Sequence, residues 1–176
     1  ADISQFTYYA DTTVGPGRFA LDLVIPTIVS ARVNDGLNGD VLRAQAGLGD
    51  ILFGPVYQFN PLTLPNHSVL WQSVEFDALA PTGAYDRRIA INPGSHAWAL
   101  NPFYSATLFV TPDFSISGRF HYLYNFTNDT PDASLGSGAR TLQAGQAFHF
   151  NWAAAYAISP RLGLGLNGYY LKQFTN

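Results

Sequence analysis

The sequence predicts an all-β chain, and three observations carry this prediction. Apolar and polar residues alternate with a period of two along most of the chain, as in strands, whose successive side chains point to opposite faces. Only 12% of the 176 residues are charged and 15% are aromatic, whereas roughly a quarter of the residues in soluble proteins are charged. No run of about 20 mainly apolar residues suits a membrane-spanning helix. Together these features indicate a transmembrane antiparallel β-barrel.

The clearest strand is predicted at residues 114–126. Apolar or aromatic side chains and one glycine occupy the even positions from Phe114 to Phe126, whereas serine, arginine, histidine and asparagine fill most of the odd positions. A helix could not separate the two kinds of residue in this way. The segment is therefore predicted to present one apolar face and one polar face.

The same alternation predicts seven further strands, which gives about eight in total. From the N-terminus they cover residues 3–10, 18–32, 48–59, 69–80, 96–110, 147–158 and 162–170. The first of them has the weakest pattern. The run at 141–160 also fits a helix, because aromatic residues recur there every four positions, but its strand-like neighbours favour a strand.

The character of the two faces distinguishes a barrel from a soluble β-sandwich, whose strands alternate too. One face of each strand is rich in Phe, Tyr, Trp and Leu, and the other carries Gly, Ala, Ser and Asn with few charges. A sandwich would present more charge to water. A barrel can place the bulky face toward lipid and the small polar face toward its lumen. Aromatic residues near strand ends suit interfacial girdles; they are Tyr57, Trp71, Trp98, Tyr124 and Tyr170.

Short and long connections alternate along the chain. Those at 11–17, 111–113 and 159–160 are short, that at 60–68 is intermediate, and those at 33–46, 81–95 and 127–142 are long. Outer-membrane barrels have short periplasmic turns and longer extracellular loops, so the first predicted strand runs toward the periplasm. Because the first strand of such a barrel normally runs outward, we expect residues 1–176 to form a single barrel domain that is incomplete at both ends.

The composition argues against several functions. The chain has no cysteine, which removes disulfides, thiolate catalysis and cysteine-type zinc sites. Its formal net charge is −3, Lys172 is its only lysine, and its arginines are scattered. It therefore lacks the basic patch of a nucleic-acid-binding protein, and we expect no nucleic-acid partner.

The inward side of the predicted barrel carries the candidate functional residues. By strand parity the residues predicted to line the lumen are Asp50, Gln58, Glu75, Asp77, Asn101, Phe103, Phe109, Arg119, His121, His149, Asn151 and Asn167. Phe103 and Phe109 are apolar, which is unusual in a general porin. They indicate either a lumen that accepts apolar ligands or packing against a plug, and the sequence leaves both open.

Some of these side chains also allow catalytic or metal-binding interpretations. Glu75 and Asp77 share one face and could do acid–base chemistry. Lumen carboxylates more often pair with arginines, for which Arg119 is the candidate, and they contribute to ion selectivity. His121 and His149 could bind a metal, but no cysteine or third histidine supports such a site, so hydrogen bonding in a polar lumen is favoured.

Two further groups are assigned structural roles. Asp50 either shapes the electric field of the pore or accepts hydrogen bonds near a loop, and the second role is favoured. Ser95 and His96 beside Asp86 could suggest a serine hydrolase, which needs its three groups in defined geometry. They lie in a loop rich in Gly and Pro that would not fix this geometry. We therefore predict no enzyme, no catalytic or metal-binding residue and no cofactor.

Four stretches of the sequence stand out. They are Gly47–Pro55, Ala80–Asp86, Asn92–Trp98, and the pair Gly145–His149 and Gly168–Gln173. In this order they resemble the outer-membrane channel family of phenol meta-pathway degradation proteins, over about residues 18–176. The resemblance implies a twelve-stranded barrel tied to uptake of hydrophobic compounds, with an N-terminal segment that occludes the lumen. The present segments would then be strands two to nine, with one strand missing before them and three after.

The sequence thus predicts a bacterial outer-membrane channel for passive uptake of small hydrophobic or aromatic molecules, embedded in the lipid bilayer and monomeric. Its selectivity would come from the lining and width of the pore. One alternative is a general diffusion pore for small solutes. Others are a barrel enzyme that acts on lipid, and a structural or adhesive barrel that functions through loops 81–95 and 127–142.

Overall fold

Eight long strands form from the alternating segments. The computed structural model describes residues 2–14, 18–34, 41–132, 135 and 138–175. The long strands are β1 (Asp2–Val14), β2 (Phe19–Asn34), β5 (Ile51–Gln58), β7 (Val69–Ala80), β8 (Ala99–Thr111), β9 (Phe114–Asn125), β10 (Ala147–Ser159) and β11 (Leu162–Gln173). Three short strands are β3 (Val41–Leu42), β4 (Gly47–Leu48) and β6 (Leu62–Thr63).

The long strands form one antiparallel meander. Its order is β1-β2-β5-β7-β8-β9-β10-β11, with β3 and β4 paired to β2 and β6 paired to β7. The sheet curls into a half-barrel, because each strand pair adds twist of the same hand. Among the described residues, no helix has the length and apolar character that a membrane crossing requires. The predicted all-β fold with about eight antiparallel strands is confirmed.

Side chains crowd on one face of the curled sheet and spread on the other. On the crowded face the ring of His121 lies 4.4 Å from that of Phe103 and 4.3 Å from that of His149. On the opposite face the rings of Phe120 and Phe150 are 5.7 Å apart. Because side chains converge on the concave side of a curved sheet, the crowded face is the inner one. The outer face exposes Phe53, Phe76, Tyr104, Phe120, Trp152, Leu164 and Leu166.

Two of the differences between the predicted and the observed strand boundaries have a clear physical cause. β1 continues to Val14, so the predicted turn at 11–17 is wrong for its first four residues, and residues 15–17 lie outside the described part. Pairing with β2 extends the strand where the local alternation stops. The predicted strand at 48–59 is interrupted at Gly49 and Asp50, because the Asp50 carboxylate is held by loops, as shown below.

Candidate functional site

Three carboxylates meet on the inner face, on β2 and β7. Oxygens of Asp22, Glu75 and Asp77 all lie within 4.8 Å of one another. β5 runs between these strands, but Gly54 pairs there with Asp22 and has no side chain. A Cβ atom at residue 54 would lie 2.7 Å from Oδ1 of Asp77 and would collide with the carbonyl oxygen of Phe76. The glycine therefore allows the carboxylates of two non-adjacent strands to come together.

The most buried member of this acidic cluster is Asp77. Its side chain is only 3% exposed, and Oδ1 has no hydrogen-bond partner. Asn101, which pairs with Asp77 across β7 and β8, also has a buried Oδ1 without a partner. Like charges at such distances repel unless a cation or a proton lies between them. The cluster therefore offers several oxygen acceptors and few donors.

The predicted partner of these carboxylates, Arg119, lies elsewhere. Arg119 lies on β9, two strands away from the β7 strand of Glu75. It pairs with Ser105, whereas Glu75 pairs with Phe103, the next inner-face residue of β8. Its guanidinium carbon lies 5.9 Å from the centroid of the Phe103 ring, which is a cation–π distance. Within the described part of the chain, neither Glu75 nor Asp77 forms an ion pair. The prediction that Arg119 neutralises them is wrong.

Four rings form a continuous ladder on the inner face from β8 to β11. Phe103 lies 4.4 Å from His121, His121 lies 4.3 Å from His149, and His149 lies 5.6 Å from Tyr169, measured between ring centroids. The two imidazoles are almost parallel, with an interplanar angle of 11°. Direct pairing of Phe103 with His121 and of His121 with His149 produces this arrangement. We call these four residues the aromatic ladder.

The histidines of the ladder do not hydrogen-bond as predicted. Both ring nitrogens of His121 and Nδ1 of His149 are buried without a partner. Their neighbours in the ladder are rings that stack on the imidazoles and offer the ring nitrogens no hydrogen-bond partner. The predicted hydrogen bonding is therefore wrong for these nitrogens. In the described residues, no group of three potential metal ligands includes either histidine. The two imidazoles are thus members of a ring stack.

Small polar side chains lie beside the ladder, toward the short turns. The hydroxyl oxygens of Ser73 and Ser105 are 2.6 Å apart, and those of Thr107 and Ser117 are 2.9 Å apart. Each hydroxyl thus has a partner on the neighbouring strand. These pairs give a polar surface next to the aromatic one, and Arg119, which pairs with Ser105, adds one positive charge to it.

The amide side chains predicted to line the lumen belong to this inner face as well. Asn101, Asn151 and Asn167 pair with inner-face residues of neighbouring strands. The side chain of Gln58 lies along the sheet, because its Nε2 donates a 3.0 Å hydrogen bond to the carbonyl oxygen of Gln72. The amides therefore add polar surface at several levels of the sheet.

An apolar cleft lies at the end of the inner face that carries the short turns. Trp71, Phe109 and Pro112 line it, and its volume is about 520 Å³. Trp71 pairs with Thr107, so its side chain belongs to the inner face and its predicted place in a lipid-facing girdle is wrong. The parity that Trp71 shares with Glu75 was the signal that could have shown this.

Asp50 holds the loops at the opposite end of the sheet. Its Oδ1 accepts a hydrogen bond from the Gly83 amide at 3.0 Å, and its Oδ2 accepts from the amide and Oγ of Ser95 at 2.7 and 2.6 Å. Asn128 joins the network from the next long loop, because its Nδ2 donates to the Ser95 carbonyl oxygen at 2.9 Å. Asp50 is therefore a structural acceptor that connects three segments.

The loop residues that could suggest a hydrolase each have a different partner. Ser95 Oγ donates to the carboxylate just described. The His96 ring stacks on that of Tyr85, with centroids 4.7 Å apart. Asp86 pairs with Arg88 at 2.9 Å, and hydrogen bonds from Arg88 lower the pKa of Asp86 to about 2. The three side chains therefore do not assemble into a catalytic triad.

The outer face carries an apolar groove of about 670 Å³. Its lining includes Phe19, Pro55, Tyr57, Phe76, Pro102 and Tyr122. The β5–β7 and β8–β9 ladders are interrupted next to the two prolines, which have no N–H group to donate. This side of the sheet is suited to contact with acyl chains.

The chain was compared with known proteins. A search of curated proteins found no significant match. Among solved structures, the crystal structure of an outer-membrane channel from Pseudomonas putida F1 matches with a TM-score of 0.68 and 15% sequence identity, over 96% of this chain and 60% of that channel. This chain thus spans 60% of the length of the channel, and the likeness shows a shared fold. The family model described as "Putative MetA-pathway of phenol degradation" matches residues 1–176, so the chain belongs to this family.

Proposed function

We propose that the chain forms part of the wall of a bacterial outer-membrane channel, through which small hydrophobic or aromatic molecules pass down their concentration gradient. An apolar outer face and a more polar inner face are the pattern of such barrels. The family description refers to phenol degradation, and the Pseudomonas putida relative is an outer-membrane channel. Both support a barrel in the outer-membrane bilayer, and we propose that this barrel is monomeric.

The aromatic ladder is the single observation that carries the substrate class. Its rings stack on one another along the concave side, and three of its ring nitrogens have no hydrogen-bond partner. An aromatic solute that packs edge-to-face against such rings gains about 0.5–1.5 kcal/mol for each ring pair. A sugar at the same place would lose hydrogen bonds to water without replacing them. The ladder therefore favours aromatic solutes over sugars.

The apolar cleft offers a second weak site further along the same face. Trp71 and Phe109 lie there, 47% and 39% exposed. Conduction requires sites that bind well enough to admit a solute and weakly enough to release it. Two separated aromatic surfaces, with a polar strip between them, meet this requirement for small aromatic molecules.

A general diffusion pore is the second candidate, and the hydroxyl pairs favour it. Ser73, Ser105, Thr107 and Ser117 form a polar strip, beside Arg119, of the kind that lines water-filled lumens. Such a pore would admit sugars at rates set by their size alone. Solute preference therefore separates the two functions.

The test compares two solutes in the full-length protein. Uptake of radiolabelled toluene is measured in cells that lack the protein and in cells that express it, and liposome swelling measures arabinose entry. The ladder variant Phe103→Ala is compared with Phe120→Ala, which removes a ring from the outer face of the neighbouring strand. Loss of one ring pair changes affinity about 2- to 10-fold, and we expect a fall in toluene uptake of that size for Phe103→Ala alone.

Two results would contradict the proposal. Rapid arabinose entry without any increase in toluene uptake would identify a general pore. Equal toluene uptake by the wild type, Phe103→Ala and Phe120→Ala would remove the ladder from the transport path. Heat-modifiable migration in gels checks that each variant has formed a barrel.

A further inference from the structure

Passage of apolar molecules does not explain the acidic cluster. Asp22, Glu75 and Asp77 place oxygens within 4.8 Å of one another on a face that is otherwise poor in charge. Two oxygens that bind the same Ca²⁺ ion at about 2.3–2.6 Å can be at most about 4.6–5.2 Å apart. The spacing of the three carboxylates therefore fits a single shared cation.

The burial of Asp77 is a second and separate observation. Asp77 is only 3% exposed, and its Oδ1 has no hydrogen-bond partner. Buried polar atoms nearly always have a partner, and an orphan calls for an ion, a water or a functional reason. Oδ1 of the adjacent Asn101 is a second buried acceptor without a partner. Neighbouring acceptors that lack donors are what a cation satisfies.

The local architecture brings the carboxylates together without a basic partner. Gly54 lets the Asp77 carboxylate approach β5 closely, since a Cβ atom there would lie 2.7 Å from Oδ1 of Asp77. The guanidinium of Arg119, which also lies on the inner face, is placed over the Phe103 ring. Among the described residues, no basic side chain forms an ion pair with Glu75 or Asp77.

We infer that Asp22, Glu75 and Asp77, with the amide oxygen of Asn101, form a binding site for one Ca²⁺ ion on the inner wall. Oxygen-only ligands select hard cations over zinc and copper, which prefer nitrogen and sulfur. Ca²⁺ accepts 6–8 oxygens in flexible geometry, whereas Mg²⁺ demands a near-ideal octahedron and keeps its waters. Ligands on two separate strands suit Ca²⁺, and water completes its shell.

A bound ion would have two effects on the wall. It would join β2 to β7 across the glycine of β5, and it would cancel two of the three negative charges that the cluster can carry. Since lumen charges tune ion selectivity, the loaded channel would be less selective for cations than the metal-free one. The site thus regulates the field of the lumen, whichever solute passes.

The experiment is calorimetric titration of CaCl₂ into the full-length protein, freed of lipopolysaccharide and stripped with EDTA. We expect one Ca²⁺ per chain, with a dissociation constant of about 10⁻⁴–10⁻³ M, as in other sites exposed to the cell exterior. Asp77→Asn and Glu75→Gln should weaken binding at least about tenfold, which is the size of effect of losing a well-placed charge contact of about 1.4 kcal/mol. Asp113→Asn, in the exposed turn between β8 and β9, is the matched control and should bind like the wild type.

Asp22→Asn provides the same test from another strand if the β7 variants do not fold. Absence of saturable binding by the wild type up to about 10 mM, ten times the weak end of the expected range, overturns the site. Equal binding by the wild type and the folded cluster variants also overturns it, because the ion would then lie elsewhere. Equal affinity for Mg²⁺ contradicts the assignment to Ca²⁺.

Discussion

Two aspartates of this chain have opposite surroundings. Asp50 accepts three hydrogen bonds from loop residues, whereas Asp77 is almost completely buried in the wall with an oxygen that has no partner. A satisfied carboxylate stabilises the conformation around it. A buried acceptor without a donor costs free energy, so Asp77 lowers the free energy of unfolding. The difference separates a residue that maintains the shape of the molecule from one that is available to a ligand.

The largest effect is expected when the satisfied aspartate is removed. Asp50→Ala leaves the Gly83 amide and the amide and hydroxyl of Ser95 without their acceptor. Hydrogen bonds to a charged group contribute about 1.5–3 kcal/mol each, and water replaces part of this at a half-buried site, so we expect a loss of about 2–4 kcal/mol of unfolding free energy. Guanidinium-induced unfolding in lipid vesicles, followed by tryptophan fluorescence, measures it.

Asp129→Ala is the control for this prediction, because Asp129 is an exposed aspartate of the long loop at 126–146. It should change the free energy of unfolding by less than about 0.5 kcal/mol, as surface substitutions usually do. Equal losses in both variants would show that loop charge, and not the network around Asp50, sets stability.

The unsatisfied aspartate should respond in the opposite direction, and the response should depend on the ion. Without metal, Asp77→Asn removes one of three close like charges, so the variant should be about 1 kcal/mol more stable than the wild type in EDTA. With Ca²⁺ at ten times the wild-type dissociation constant, the wild type should gain about 1.4 kcal/mol and a tenfold weaker variant about 0.4 kcal/mol. The variant should therefore be the more stable protein in EDTA, and its advantage should disappear when Ca²⁺ is added.

The same unfolding measurement, repeated in EDTA and in CaCl₂, checks this loss of the variant's advantage. A variant that is less stable than the wild type in both solutions would mean that Asp77 is an ordinary structural residue. The contrast with Asp50 would then disappear. Asp113→Asn should keep the wild-type response in both solutions.

Much of the fold could be predicted from sequence, because its signal is local. Period-two alternation depends only on successive residues of one strand, and it identified all eight long strands and their inner faces. It failed at residues 11–14, where the strand is specified by pairing with β2. It also gave Trp71 the wrong role, because its position near a strand end was weighed above its parity.

The site depends on register, which the sequence does not state. Asp22 has inward parity between Leu21 and Leu23, but its contact with Glu75 and Asp77 requires the alignment of three strands and a glycine in the middle one. The register likewise decides that Arg119 stacks on Phe103 instead of neutralising the carboxylates. Parity can list the residues of an inner face, whereas only cross-strand alignment shows which of them touch.

The smallest expected effect concerns Asp86, a loop aspartate that has a partner like Asp50 but lies at the solvent-accessible surface. Hydrogen bonds from Arg88 lower the pKa of Asp86 from 3.8 to about 2. Because the pKa is lower in the folded loop, the ion pair contributes fully above about pH 4, and its contribution is lost as the pH falls toward 2. Arg88 is 82% exposed, so salt screens the pair and global stability should not change.

A spin label reads this local change. The chain has no cysteine, so Arg87→Cys gives a unique attachment point next to the pair. We expect the label to become more mobile between about pH 4 and pH 2 in the otherwise wild-type chain, and to show no such transition in Asp86→Asn. A transition of equal size in both would assign the pH response to another group of the loop. The comparison would then rest on the network around Asp50 alone, since the hydrogen-bonded carboxylate of Asp86 would not order its loop.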